Sequence, residues 1–202
     1  MELLDITPYP MPTEADLPPS NAASTVDPGR AALLVLGMQP RFLRAFPADT
    51  APGTALRANT RALHAAARAH GIPVVFGRAP AGPDPGNGAE HHGPGPYAGA
   101  PVPERGDHVV AYVRENAFLR SHLGRVLARA GRDQLLLCGL FAAGGVARTA
   151  ADAREHGFET FVAADAVADA GPRQHRFALR WAATRCGAVR TTRSLIQEME
   201  RR

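Results

Sequence analysis

Fully apolar runs recur along the chain, separated by longer stretches with helical spacing. Residues Ala31-Ala32-Leu33-Leu34-Val35-Leu36 are apolar at every position. A run without alternation suits a strand covered on both faces. Over 53–70, Leu56, Leu63, Ala66 and Ala67 recur at helical spacing, and Gly71 closes the helix. The same logic predicts strands at 73–76, 109–113, 134–138, 159–163 and 188–191. It predicts helices at 118–130, 144–156, 173–184 and 193–201, the last capped near Thr192. Strand and helix alternate throughout. The expectation is an α/β fold, a three-layer sandwich around a mainly parallel sheet of about six strands.

Two segments break the rhythm. Residues 1–30 are rich in Pro and Ser and read as an arm that wraps the domain. Residues 78–106 hold 14 Gly or Pro among 29 positions, with His91-His92 in the middle. An insert of that length inside a compact domain reads as a functional lid or a disordered loop. The expected organisation is one domain over residues 1–202.

Composition narrows the function classes. All 23 positive residues are arginine, and there is no lysine, so chemistry that needs a lysine amine is excluded. The formal charge is +4. The arginines are interspersed with acids (Arg154-Glu155, Glu200-Arg201), and aromatics make up only 6%, so a nucleic-acid partner is not expected. No apolar stretch approaches the ~20 residues of a membrane helix. No secretory leader is read in Met1-Glu2-Leu3-Leu4-Asp5. Cys138 and Cys186 lack metal-ligand spacing and read as buried thiols in a reducing cytoplasm, with neither metal nor cofactor expected.

In a parallel sheet the ligand crevice lies at the carboxyl ends of the strands. The informative residues are therefore Gly37-Met38-Gln39, Arg78-Ala79, Tyr112 to Asn116 and Gly139 to Gly145. Gly144-Gly145 would let backbone approach a ligand closely. These segments carry a resemblance. Leu33 to Gln39, Arg114-Glu115-Asn116-Ala117-Phe118, Leu137 to Ala142, Thr149 to Ala153 and Val162 to Asp169 resemble the isochorismatase family, within the α/β cysteine-hydrolase-like superfamily. The arm Ile6 to Pro12 and Ala183-Thr184-Arg185-Cys186-Gly187 extend the likeness over nearly the whole chain. The likeness is strongest to isochorismatases of siderophore and phenazine pathways, which cleave an enolpyruvyl vinyl ether. It implies a homodimer acting on a small molecule.

The same resemblance implies altered chemistry. The family's first strand ends in Asp-x-Gln, and that Asp protonates the enol carbon so that water can attack the oxocarbenium. Its position here is Gly37. The family lysine falls at Tyr112, and the nucleophile position of the amidase branch at Gly145. A glutamine after the second strand becomes Ala79, a tyrosine becomes Phe141, and the histidine two residues later becomes Ala143. Losing a general acid alone typically costs about two to four orders of magnitude in rate. Restoring the pair, as Gly37→Asp with Tyr112→Lys, is expected to return some hydrolysis.

The remaining candidates are weighed singly. Tyr112 is read as a replacement acid or a hydrogen-bond donor to a ligand, or else as filler of the vacated space. Arg78 and Arg148 are candidates to clamp a carboxylate, or else surface arginines. His92 is a candidate acid-base group on the lid. Gln39, Phe42, Phe141 and Gly144 line the expected pocket. Asp165, Asp169 and Asp152 are read as structural. Three functions follow: an enzyme of specialised metabolism repurposed to a small cyclic carboxylated or aromatic intermediate, a non-catalytic metabolite-binding or scaffold protein, or a residual vinyl-ether hydrolase.

Overall fold

The computed structural model describes residues 5–20, 24–79 and 99–201. Its centre is a six-stranded sheet in the order β3-β2-β1-β4-β5-β6, every neighbouring pair parallel. The strands are β1 (Ala31–Leu36), β2 (Val74–Arg78), β3 (His108–Ala111), β4 (Gln134–Leu140), β5 (Glu159–Ala168) and β6 (Gly187–Arg190). The helices are α1 (Pro40–Leu43), α2 (Gly53–Ala69), α3 (Leu123–Arg129), α4 (Ala147–Glu155), α5 (Pro172–Arg185) and α6 (Thr192–Glu200).

The unbroken apolar run of β1 is explained by layers on both faces. Ala32, Leu34 and Leu36 pack with Leu123 and Leu127 of α3, Ala150 and Ala153 of α4, and Ala178, Leu179 and Ala182 of α5. Leu33 and Val35 point the other way, onto Leu43 of α1, Leu56 and Leu63 of α2, and Leu195 and Met199 of α6. This is the three-layer sandwich expected from the pattern. Strand order reverses direction between β1 and β4, because α2 carries the chain one way on one face and α4 and α5 carry it the other way on the opposite face. In sheets of this kind ligands bind at such a switch, beyond the carboxyl ends of the strands.

Several boundaries differ from the sequence pattern. The helix expected over 118–130 forms only as α3. Its first part is a turn built on side chains: Asn116 Oδ1 accepts from Phe118 N at 2.9 Å, Ser121 Oγ accepts from Leu123 N at 3.1 Å, and Arg120 has φ +50°. These local bonds compete with helical ones. The helix expected from 144 opens with one wide turn at Ala142–Val146 before α4. β5 extends five residues past its expected end, with a register shift against Leu137 and Gly139 of β4. At that irregularity Asp165 accepts from Thr192 N and Oγ1 at 2.6 and 2.7 Å, tying β5 to α6. The cap of α6 is Thr191, whose side chain accepts from Ser194 N.

Described residues of the arm pack on α5 and on the segment that leads into it. Tyr9 is buried with its ring edge-on to His175 of α5 at 5.5 Å. The His175 Nε2 lies 3.0 Å from the Ala164 carbonyl, so it carries the proton, and Nδ1 accepts from the Tyr9 hydroxyl at 3.0 Å. That hydroxyl in turn accepts from Asp169 N. Burial pushes the imidazole pKa down to about 4. Among the described residues no helix is long and apolar enough to cross a membrane.

Candidate active site

The strand ends around the β1/β4 switch bring most of the candidate residues together, each held by its own local geometry. Gly37 leaves β1 at φ +62°, with its N–H donating to Gly77 O at 3.3 Å. A side-chain carbon there would lie 2.5 Å from the Leu140 carbonyl oxygen. Glycine is therefore required twice over, by the left-handed conformation and by the neighbouring backbone. The geometry works against the restoration expected from the sequence, because an aspartate at 37 would have to displace the end of β4. Gln39 clasps the exit of β2: its Oε1 accepts from Ala79 N at 2.9 Å and its Nε2 donates to Ala79 O at 3.3 Å. Both ends of the Gln39 amide hold backbone, so its role is to fix the β1 and β2 exits together.

One wall is aromatic. Phe42 meets Phe141 edge-on at 5.6 Å, and Phe46 lies behind Phe141 at 5.8 Å. The peptide joining Leu140 to Phe141 is cis. Over the Phe42 ring, 4.4 Å from its centroid, sits the guanidinium of Arg41. Its Nε is buried and has no hydrogen-bond acceptor among the described residues. A buried donor left unpaired costs about 1–3 kcal/mol.

On the other side Tyr112 follows β3, its N–H donating to Arg78 O at 3.0 Å. The side chain is 4% exposed, packed over Gly77. Burial pushes the phenol up to about 12, opposed by the positive charge of Arg41 and reinforced by Glu115. At neutral pH this phenol stays protonated: a hydrogen-bond donor, neither a base nor a source of protons for carbon. Gly145 faces it, and a carbon added there would sit 3.8 Å from the Tyr112 hydroxyl and 3.5 Å from Leu140 O, both ordinary contacts.

Glu115 brings a carboxylate to the rim. It follows Arg114, and both have left-handed φ values of 56° and 53°, uncommon for non-glycine residues. A carbon on Gly144 would meet Glu115 Oε1 at 3.3 Å, and Glu115 pairs with Arg148 at 3.4 Å. Both partners are more than half exposed (57% and 61%), so the pair is solvated and contributes little to stability. Arg148 is thus at the site but engaged. Arg78 is exposed at the end of β2. His92 lies outside the described residues.

The three aspartates hold the frame. Asp169 accepts from Ala143 N at 2.7 Å and from Ala170 N at 2.8 Å, linking the wide turn after β4 to the start of α5. Asp152 accepts from Asn116 Nδ2 at 3.0 Å, tying α4 to the Glu115 loop. Cys138 and Cys186 are buried, their thiols pushed up to about 12 and 11 by desolvation, away from reactive thiolate. Among the described residues no three His, Cys, Asp or Glu gather as metal ligands. A separate groove of about 320 Å³ between the arm and α5, lined by Tyr9, Met11, Pro19, His175 and Leu179, includes none of the strand-end residues.

Sequence reading passed over Arg41 and Glu115. Arg41 adjoins Phe42 in the segment leaving β1, and that adjacency was the available signal. Glu115 sits inside a recurring scaffold motif, which hid it.

Comparison with known proteins agrees with this architecture. The isochorismatase domain family matches residues 31–194. The chain is 36% identical over 211 residues to the isochorismatase of Bacillus subtilis (strain 168), covering 99% of this chain and 68% of that protein. It is 36% identical over 205 residues to the phenazine biosynthesis protein PhzD of Pseudomonas fluorescens, covering 95% and 97%. Among solved structures, an isochorismatase family protein from Burkholderia thailandensis superposes with a TM-score of 0.71 at 26% identity, covering 87% and 98%.

Proposed function

The chain belongs to the isochorismatase family, a family of hydrolases, and from that premise we propose that it is a member repurposed within specialised metabolism. Its site takes a small cyclic carboxylated or aromatic intermediate and does not run the vinyl-ether hydrolysis of its relatives. The observation that carries this reading is the exit of β1. Gly37 supplies no proton there, and the backbone of Leu140 occupies the space a side chain would need. Opposite it, Tyr112 is a buried phenol too weakly acidic to replace the aspartate. The aromatic wall of Phe42 and Phe141 supports retention of a ligand site. Catalysis there rests on positioning and water exclusion.

A non-catalytic metabolite-binding or scaffold role is favoured by one specific observation: the hydroxyl, the carboxylate and the amide at the site are respectively too weakly acidic, solvated, and engaged with backbone. Residual vinyl-ether hydrolysis is the weakest of the three readings. The reading includes a homodimer in the cytoplasm.

Purified protein incubated with isochorismate, and separately with its 2-amino-2-deoxy analogue, is followed by chromatography. The expected result is no consumption above the protein-free background. Turnover above it overturns the proposal and restores the family reaction.

A further inference from the structure

Arg41 differs from the arginines whose partners are defined. The terminal nitrogens of Arg57 and Arg132 donate to carbonyls, Gly53 O and Leu43 O for Arg57 and Pro28 O for Arg132. Arg30, Arg68 and Arg148 each pair with a carboxylate. Arg41 has its ring contact with Phe42 and no hydrogen bond or ion pair to a described residue. It is also placed where three strands end. Phe42 carries it against Phe141 after β4, and its charge is felt by the Tyr112 phenol after β3.

We infer that Arg41 is the carboxylate anchor of this site, binding a ring acid through its Nε–H and a terminal N–H while the ligand's apolar body lies against Phe141. The inference rests on the ring-acid reading above and names the residue that recognises the charge. The geometry suits the task. A guanidinium presents a planar two-donor fork that matches a carboxylate, and stacking on Phe42 holds that fork before a ligand arrives. The protonated Tyr112 hydroxyl supplies a further donor and no competing negative charge. A neutral amide of the same shape would bury the guanidinium without an anion, so the acid is preferred over its amide. Glu115, the carboxylate of the rim, pairs with Arg148 in solvent, and among the described residues no carboxylate pairs with Arg41.

The test uses 3-fluorobenzoate and its neutral isostere 3-fluorobenzamide, with affinities read by fluorine NMR on the whole chain. The parent protein is expected to prefer the acid by about 10–100-fold, the range of one charge-assisted hydrogen-bonded pair. Arg41→Gln is expected to abolish that preference. Arg41→Lys retains part of it, since the charge remains and the fork is lost. Arg61→Gln, a charge loss on the exposed face of α2, leaves it intact, and melting curves confirm that each variant is folded. Survival of the preference in Arg41→Gln, or its loss in Arg148→Gln instead, overturns the inference. Equal binding of acid and amide to the parent also overturns it, while leaving the ligand site standing. No binding of either probe to the parent removes the ring-acid reading along with it.

Discussion

Gly37 offers the sharpest perturbation, because the structure predicts that adding one carbon there is expensive while adding one at Gly145 is not. In Gly37→Ala the residue must hold φ +62°, which costs an L-residue roughly 1–2 kcal/mol. Its new carbon must also clear the Leu140 carbonyl oxygen, 2.5 Å away. Relieving an overlap of this kind in a packed region costs about 1–3 kcal/mol. Against these, alanine restricts the unfolded chain and returns about 0.4–1 kcal/mol. The net loss is about 1–4 kcal/mol, which for a chain of this size lowers Tm by roughly 2–16 °C. At Gly145 the added carbon makes contacts of 3.5 and 3.8 Å and φ is not left-handed, so Gly145→Ala should melt with the parent or slightly above it. The assay is thermal unfolding followed by circular dichroism on the parent and both variants. Equal melting temperatures for the two variants would refute the claim that the β1 exit is committed to glycine. Gly37→Asp with Tyr112→Lys should then fold poorly and show no isochorismate turnover.

Two further predictions concern the frame. His175 is buried neutral, with its pKa lowered to about 4 from an ordinary value near 6.5. Below pH 6.5 the unfolded chain takes a proton that the native site refuses, so stability is complete above that pH and is lost as pH falls toward 4, by up to about 3 kcal/mol. Urea unfolding at several pH values checks this, and an identical pH slope in His175→Gln would contradict it. Asp169 is 7% exposed and accepts two backbone N–H groups. Asp169→Ala should therefore lose about 2–4 kcal/mol in urea titrations, and a loss under about 0.5 kcal/mol would mean that water replaces the carboxylate.

Fold was legible because its signal is local. The uninterrupted apolar run of β1 and the helical spacing of α2 each report burial independently of what lies across the sheet. The misread boundaries were those where side chains bond locally or at long range. Ser121 and Asn116 unwound the start of a helix, and Asp165 bent β5 to meet α6. At the site, residue identity was visible along the chain: glycine at 37, tyrosine at 112 and phenylalanine at 141 are facts of the sequence. Arg41 and Glu115 were not distinguishable from surface charges, since nothing in one dimension says which arginine buries its Nε beside an aromatic wall.

The sequence by itself determined the layers, the parallel sheet and the absence of any lysine amine, because periodicity and composition act through short-range burial and through inventory. Only the tertiary structure decided that Gly37 has no room to become an acid, that Arg148 meets Glu115 and that Arg41, beside Phe42, buries an Nε with no acceptor among the described residues. Those outcomes depend on distances between strand ends that lie some thirty to a hundred residues apart in the chain, and separations of that kind are set by how β1, β3 and β4 pack.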